Sequence, residues 1–585
     1  MPGSPVQFFR EAEITVPGWN RTVPSRPCVA FYGFALLLLT SCTCILRAAS
    51  SPPPMARWTV FETSFTSSSH YDNPVQDAEL MVEFRSPSGK TNDVEGFWDG
   101  GNTWRVRFSP DELGQWTYST HSKRDDAGLN GQSGSFKCVD YAGTNNLYRH
   151  GMIRVSTNRR FLEQADGTPF LWLSDTTWNG ALHSQPKDWD AYLTDRHTKG
   201  FSVIQFVMTQ WIASSGNGDG RVAYQDWKRI YIDPAFYQWM DDRIRAVNEH
   251  GLVAAPVMLW AAPWNELAKY TNPGNSLDES QLIKLARYMV ARYAAYQVIW
   301  ILSGDGDYRG EASERWKRVG RAAFGDHPSR LVTTHPAGHM WIGKEFGGEP
   351  WYSILGYQSG YGDGPKDFEW HTQGPPATEW QNEPYHPVID LEANYERHLS
   401  SEGVPFDARS VRRSAYWALL VSPTAGFTYG AHGIWSWETR PAIPMNHGGT
   451  GIAPPWHEAM HYPGSTDMKH VRDFFASAKW WTLQPAPNMV IDQPGKKNPA
   501  EFIALSRSES GNFALLYMPV GQKTRIQISQ THTGVIVRWF NPRTGVWLRP
   551  LPVGEGGSIT APDSNDWAAW IGQASRKPDE AGEHK

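Results

Sequence analysis

Residues 387–396 read Pro-Val-Ile-Asp-Leu-Glu-Ala-Asn-Tyr-Glu. Val388, Ile389 and Leu391 are strand formers. Side chains alternate along a strand, so Asp390 and Glu392 share one face while Ile389 and Leu391 share the other. Two carboxylates on an apolar strand are costly to bury without a use for them. A second apolar run, residues 298–305 (Val-Ile-Trp-Ile-Leu-Ser-Gly-Asp), also ends in a carboxylate, Asp305.

Working outward from these two runs gives eight apolar strands: Phe170–Asp175, Phe201–Met208, Leu252–Trp260, Val298–Asp305, Leu331–His335, Tyr352–Gln358, Val388–Glu392 and Gly426–Tyr429. Helical text lies between most of them. It is clearest over 234–250, with Asp233 at the N-cap, Pro234 at the first helical position and Gly251 just past the end. Phe236, Met240, Ile244 and Val247 form the apolar stripe of that helix. Strands alternating with helices over roughly 300 residues predict an α/β chain built on a (β/α)8 barrel, placed at 146–482.

Both flanks read differently. A Pro-rich linker at 51–55 leads into short alternating strands over 56–140, at 58–61, 80–84, 104–108, 116–119 and 135–139, with turns at Ser86-Pro-Ser-Gly and Asp99-Gly-Gly-Asn. That spacing predicts a small β-sandwich. Residues 486–573 predict a second one, opening with strands 502–506 and 513–518 around the turn Glu509-Ser-Gly-Asn. The charged tail 576–585 reads as disordered. At the other end, 1–50 read as a signal or lipoprotein anchor segment. Residues 29–46 are apolar, Leu39-Thr-Ser-Cys42 resembles a lipobox that would place a lipid on Cys42, and Ala48-Ala49 offers an alternative cleavage point. Export, to a secreted, periplasmic or membrane-tethered state, is the expectation. Beyond residue 50 the only cysteine is Cys138, so no disulfide framework holds the folded body.

The chain has 585 residues, enough for roughly three or four domains. Its net charge is −5, from 55 Lys+Arg against 60 Asp+Glu, with no basic stripe for nucleic acid. Aromatic residues are abundant: 29 Trp, 23 Tyr and 25 Phe. Most of these belong to cores, and flat amphipathic rings also suit stacking on sugars.

In a (β/α)8 enzyme the site lies at the C-terminal ends of the strands. Asp305 ends strand four and Glu392 ends strand seven, on opposite sides of the mouth. A glycosidase needs one protonated carboxyl to donate to the leaving oxygen and one ionised carboxyl to attack the sugar or activate water. Asp305 and Glu392 fit those roles, and Ser303-Gly304 leaves room for substrate beside Asp305. Asp307 is the neighbouring rival. Asp390, one layer deeper, is read as support, and Glu396 as a loop contact. The competing reading puts Asp305 and Glu392 in buried ion pairs with barrel Arg or Lys. Further strand-end residues are candidates to line the pocket: Asp175 and Trp178; Gln205, Gln210 and Trp211; Trp260, Trp264 and Asn265; His335; Gln358 and Tyr361; Tyr395; His432 and Trp435. No cofactor is expected. One competing motif stands apart. His457-Glu-Ala-Met-His461 matches the zinc-protease pattern His-Glu-x-x-His, but Pro454-Pro455 and Pro463-Gly464 leave room for at most about two helical turns.

Three segments resemble known families. Residues 58–139, with Pro-Ser-Gly-Lys at 87–90, Gly-Phe-Trp-Asp-Gly at 96–100 and Thr-Trp-Arg-Val-Arg-Phe-Ser-Pro at 103–110, resemble the N-terminal β-sandwich family DUF5060. The barrel, with Tyr-Arg-His-Gly at 148–151, Asp-Gly-Thr-Pro-Phe-Leu-Trp-Leu-Ser-Asp at 166–175, Ile-Trp-Ile-Leu-Ser-Gly-Asp at 299–305 and the 387–396 stretch, resembles the DUF4038 or apiosidase-like family related to glycoside hydrolase family 140. The C-terminal part, with Trp-Phe-Asn-Pro-Arg-Thr-Gly at 539–545, is similar to the module named "putative collagen-binding domain of a collagenase". The barrel resemblance implies that Asp305 is the acid/base and Glu392 the nucleophile. This chain has Ser-Gly-Asp and Asp-Leu-Glu where the family often has Gly-Gly-Asp and Asp-Gly-Glu, so the apiose preference is not carried over. The expected function is an exported glycoside hydrolase acting on plant or microbial polysaccharide by a retaining two-carboxylate mechanism. Two alternatives stand beside it: a zinc metalloprotease using His457, Glu458 and His461, and a non-catalytic glycan or matrix binder.

Overall fold

The computed structural model describes residues 54–263, 265–527 and 534–573. Cys42, the 29–46 segment, Trp264 and the 576–585 tail lie outside the described residues. Eight parallel strands form the central sheet: β1 Trp172–Thr176, β2 Val203–Val207, β3 Val253–Trp260, β4 Trp300–Gly306, β5 Val332–Pro336, β6 Leu355–Gln358, β7 Val388–Glu392 and β8 Gly426–Gly430. Their order is β5-β4-β3-β2-β1-β8-β7-β6, an eight-stranded barrel with one seam between β5 and β6. The seam is bridged where the Ser353 amide donates to Val332 O at 2.8 Å and Thr333 Oγ1 donates to Ile354 O at 2.8 Å. Every one of these strand residues is buried, which is why each strand reads as a continuous apolar run rather than an alternation.

All eight predicted strands are present. The sixth starts later than expected, at Leu355, because Tyr352-Ser-Ile354 is spent crossing the seam. Seven longer helices pack outside: α1 Pro186–Thr198, α2 Pro234–Glu249, α3 Glu279–Tyr293, α4 Glu311–Phe324, α5 Pro365–Gln373, α6 Ala408–Val421 and α7 Pro463–Ala476. α2 forms as its sequence dictates. Asp233 Oδ1 accepts from the Ala235 amide at 3.0 Å, the stripe Phe236, Met240, Ile244 and Val247 is fully buried, and Gly251 takes φ 75° past its end.

N-terminal to the barrel, a five-stranded sheet (Met55–Ala56, Ser133–Val139, Gly114–Ser122, Leu80–Arg85 and Thr91–Glu95) and a three-stranded sheet (Phe61–Thr66, Thr103–Phe108 and Phe97–Gly100) close on a core of Val82, Phe84, Trp104, Trp116 and Phe136. The strand expected at 58–61 is instead a turn with Trp58 at φ 67°, and the strand begins at Phe61. C-terminal to the barrel lies a seven-stranded sheet that shares its core with a two-stranded one. Ala504–Ser508 and Phe513–Met518 pair there antiparallel around the expected turn.

Both flanks are locked to the barrel by buried charge. Asp241 of α2 accepts two hydrogen bonds from Arg107 of the N-terminal sandwich (2.9 and 2.7 Å) and two from Arg292 of α3 (2.7 and 2.6 Å). Burial pushes the Asp241 carboxyl up, but the two guanidiniums outweigh it and hold the group below its ordinary value. At the other end, Arg412 of α6 reaches Asp467 of α7 (2.7 Å) and Asp566 of the C-terminal sheet (3.0 Å). Removing one partner of such a set leaves buried charge uncompensated. Asp241→Ala is therefore expected to lower stability by about 3–5 kcal/mol. The check is a drop in the midpoint of guanidinium unfolding, with earlier protease cleavage near residues 100–110.

Candidate active site

The carboxyl-terminal ends of the strands hold Asp305 and Glu392 in one buried mouth. Local backbone sets Asp305. The β4–β5 register shifts on both sides of Gly304, and Asp305 takes φ 55°, a left-handed conformation uncommon outside glycine. Gly304 is needed for packing: a Cβ there would lie 2.4 Å from the Trp260 ring. The space that the sequence assigns to substrate beside Gly304 is thus filled by Trp260. On the opposite side, a register shift between β6 and β7 sets Gln358 against Glu392.

The two carboxyls live in different surroundings. Glu392 Oε1 accepts the Tyr361 hydroxyl, and Oε2 stands 3.0 Å from His335 Nε2. That imidazole contact is close but poorly aligned, since neither ring nitrogen of His335 makes a well-directed hydrogen bond with the described residues; its effect on Glu392 is electrostatic. Burial pulls the His335 pKa down, yet Glu392 and Asp305 together leave it above its ordinary value. Asp305 takes no hydrogen bond from the described residues. Burial, reinforced by the Glu392 charge, pushes it up to about 7. Asp390 is also raised to about 7, chiefly by burial. Its Oδ1 accepts the Ser359 amide at 3.3 Å, and its Oδ2 lies 3.9 Å from His371, whose own pKa burial lowers to about 3. Asp390 and His371 therefore face each other as neutral groups behind Glu392.

Around these carboxyls the side chains form a closed ring. Trp260 packs 6.2 Å from His335 and 4.4 Å from Trp211; Trp211 lies 6.0 Å from His447, and His447 lies 5.1 Å from Trp435. The ring continues from Trp435 to His432 (6.3 Å), to His398 (5.3 Å) and to Tyr361 (4.6 Å), which returns to Glu392. Trp178 stands edge-on to Trp260 and His335, and Tyr395 edge-on to Tyr361. His432 is neutral, lowered to about 4 by burial and by His398; its Nδ1 accepts from Trp435 Nε1 at 3.2 Å. Several buried polar atoms here have no hydrogen-bond partner among the described residues, among them Trp260 Nε1, Gln358 Oε1 and Tyr395 Oη. A native interior leaves few such atoms. Similar atoms occur elsewhere in the protein, but those in the mouth surround the carboxyl pair, where the hydroxyls of a ligand can meet them.

Of the residues picked from sequence, the structure therefore brings together Asp305, Glu392, Trp178, Trp211, Trp260, His335, Gln358, Tyr361, Tyr395, His432 and Trp435. Four others point elsewhere. Asp175 turns outward to α1, where it bonds Tyr192 (2.7 Å) and Arg196 in full burial. Gln205 lies inside the barrel but is consumed there, donating to Leu391 O at 3.0 Å and accepting from Thr428 at 3.2 Å. Gln210 braces its own loop through Tyr224 O and the Ala223 amide. Asn265 caps a short helix through the Ala268 amide. The rival Asp307 pairs with Arg309 at the surface (2.6 Å), and Glu396 holds Tyr429 (2.7 Å) and the Gly464 amide (3.1 Å) as a strut. His398 and His447 were missed. They sit deep in the β7 and β8 loops, where only position after a strand end could have flagged them. The zinc-protease pattern is also displaced: its helix, Trp456–Ala459, stops before His461, and His457, Glu458 and His461 are exposed. Among the described residues no group of three or more His, Cys, Asp or Glu is arranged to hold a metal ion.

Residues 156–482 match the family "Apiosidase-like, catalytic domain". The chain belongs to the apiosidase-like family. Residues 54–123 match the domain of unknown function DUF5060, and 485–569 match the "putative collagen-binding domain of a collagenase". Among solved structures the fold is similar to a glycoside hydrolase family 5 protein from Bacteroides vulgatus ATCC 8482 (TM-score 0.63, 20% identity, 74% of this chain and 96% of that one). It is similar also to a protein described as a glycoside hydrolase (TM-score 0.63, 21% identity, 74% and 100%). A "putative glycoside hydrolase" from the same Bacteroides strain aligns over 88% of this chain and 99% of its own (TM-score 0.67, 18% identity). No curated protein matches the chain. Family membership, with a carboxyl pair in the barrel mouth, makes this protein a glycoside hydrolase with a carbohydrate substrate.

Two outcomes follow from this environment. Tyr361→Phe removes a hydrogen bond to a carboxylate worth ~1.5–3 kcal/mol, so turnover on a glycoside is expected to fall about 10- to 100-fold with the fold intact. Asp305 is an acid with a raised folded-state pKa. The folded protein keeps a proton that the unfolded chain releases above 3.8, and stability is lost as pH rises from there towards about 7. Asp305→Asn lacks this loss, so thermal scans should find it more stable than the parent protein at pH 8 and equal to it near pH 3.

Proposed function

We propose that the protein hydrolyses glycosidic bonds of plant or microbial polysaccharide with retention of anomeric configuration, Glu392 acting as nucleophile and Asp305 as acid and then base. The observation that carries this reading is the asymmetry of the pair. Glu392 is given a hydroxyl donor and an imidazole whose pKa it raises, contacts that suit an anion. Asp305 accepts no hydrogen bond from the described residues, and although His335 pulls it down, burial and the Glu392 charge outweigh that, so it holds its proton up to about pH 7. Environments that push two neighbouring carboxyls apart assign acid and base. In the first step Asp305 donates its proton to the departing glycosidic oxygen while Glu392 bonds to the sugar carbon. In the second, ionised Asp305 takes a proton from water, which releases the sugar from Glu392. Neutral Asp390 supports Glu392 from below without adding a second charge. The aromatic ring supplies stacking faces and excludes water.

The sequence expectation of export through residues 1–50, with Cys42 as lipid anchor, belongs to the same proposal: it would place the enzyme where polysaccharide is met. Metabolic labelling with palmitate, lost in Cys42→Ala, tests it.

Asp305→Ala and Glu392→Ala are each expected to abolish hydrolysis across a panel of aryl glycosides and plant glycans, with unchanged circular dichroism. NMR of the first-formed sugar should show the anomer of the substrate, and the opposite anomer would overturn the retaining assignment. The pH profile of kcat should decline above about 7, as the acid loses its proton.

A further inference from the structure

The loop after β2 has two parts. Its start places Trp211 in the mouth. Its end is a hairpin in which Tyr224–Gln225 pairs antiparallel with Tyr231–Ile232. Gln210 ties the parts together, donating to Tyr224 O at 3.2 Å and accepting from the Ala223 amide at 2.9 Å. Outside the mouth, this hairpin and the start of α2 face the Phe97–Gly100 strand of the N-terminal sandwich across a cleft of about 490 Å³. Trp98, Asp99, Arg221, Gln225, Tyr231 and Gln238 line it.

The walls are fixed in advance. Ile230 O accepts from Asn73 (2.9 Å) and Gln76 (3.1 Å), Arg229 pairs with Asp77 at 2.5 Å, and Gln238 donates to Asp99 O at 3.0 Å. On these rigid walls two aromatic rings are left in water. Tyr231 packs edge-on to Trp98 at 5.8 Å yet is 41% exposed. Trp227, at the hairpin tip, is 59% exposed, held on a turn in which Asp226 takes φ 60° and its side chain accepts the Lys228 amide at 3.0 Å. Single exposed aromatics are ordinary. Here Tyr231 lines a pre-formed cleft, Trp227 sits on the turn that joins the cleft residues Gln225 and Tyr231, and the cleft also offers the Gln225 amide, the Gln238 carboxamide oxygen and the Arg221 guanidinium. Charge in the cleft is already balanced: Arg221 pairs with Asp233 (3.0 Å), and Asp99 pairs with Arg105 (2.6 Å) and Arg292 (2.9 Å). Flat apolar faces beside planar polar groups of no net charge suit pyranose or furanose rings without carboxylates, since ring CH faces stack while hydroxyls meet the amides.

We propose that this cleft is a second glycan-binding site, outside the barrel mouth, that holds a neutral stretch of the polysaccharide whose cleavage is proposed above. It rests on that reading for its role, not for its occupant. One loop forms part of both sites, so a chain bound in the cleft is presented along the loop towards Trp211.

The test separates binding from turnover. Glu392→Gln, which binds without cleaving, is run by affinity electrophoresis through gels containing soluble galactomannan, xyloglucan or arabinogalactan. Retardation by at least one is expected. In the same background Trp227→Ala and Tyr231→Ala should each weaken it, together by about tenfold or more in apparent Kd. With Glu392 intact, the two substitutions should leave kcat/KM on a small aryl glycoside unchanged. Trp227 is an exposed turn residue, so its variant folds even if Tyr231→Ala is impaired. Retardation that ignores both substitutions, or no retardation of Glu392→Gln by any of the three, overturns the cleft proposal. Failure of the parent enzyme on every small glycoside would count against the hydrolase reading and leaves the binding result to be judged separately.

Discussion

Like charges cannot crowd a dry mouth, and the site is arranged around that constraint. Asp305 and Glu392 act on each other from the ends of β4 and β7, with Asp390 behind Glu392, and as a scale two unit charges ~4 Å apart repel by roughly 4 kcal/mol even at an effective dielectric of 20. The protein resolves this by giving the strongest charge-stabilising contacts to Glu392. Tyr361 donates to it and His335 stands beside it, while Asp305 has no such donor and Asp390 has one long amide bond. The same constraint reaches the rim. Burial lowers the pKa of His398, His432 and His447, so these three rim histidines add aromatic surface without favouring further cations around the carboxyls.

Holding an unshielded acid needs backbone as well as burial. Asp305 sits at φ 55° inside the register shift between Gly304 and Gly306, and a left-handed conformation of that kind costs roughly 1–3 kcal/mol. It persists because its neighbours leave no alternative. Trp260 occupies the volume a Cβ at position 304 would need, and Tyr308 closes the loop by donating to Ser303 Oγ at 2.7 Å. The strain and the raised acid are local losses of stability, concentrated where the chemistry is.

The barrel was legible because parallel strands are buried on both faces, so each one is an apolar run bounded by helix signals. Glu392 was legible as a strand end, not by parity. Asp390 is in register with Phe427 and Phe427 with Leu173, so Asp390 faces the helices beside His371. The register shift between Asp390 and Glu392 turns Glu392 into the mouth, against the shared face expected from alternation. Parity would have corrected Asp175. On β1, Trp172 bonds Thr428 of the neighbouring β8 and Thr176 meets Gln205 of the neighbouring β2, on the face that looks inward; Asp175 has the opposite parity and meets Arg196 of α1. Gln205 has the right parity but lies too deep, and depth is set by barrel stagger, which no single strand encodes. His398 and His447 lie in long loops without periodicity, so nothing local distinguishes them from solvent-facing histidines.

The flanking sandwiches are part of what makes this mouth sustainable. A buried ion set such as Arg107–Asp241–Arg292 contributes little net stability, because desolvation offsets most of the attraction; its stronger effect is to permit one docking geometry, as any other leaves charge unpaired. The stabilisation itself comes from apolar burial that the docking makes continuous. A single core runs from Phe97 of the N-terminal sandwich through the barrel to Tyr517 and Trp570 of the C-terminal sheet, where Tyr517 stacks on Tyr416 at 4.4 Å. Charge fixes the register of the three parts and apolar packing supplies the energy. A strained acid and several unpaired polar atoms in the mouth are tolerated because they draw on a core larger than the barrel alone provides.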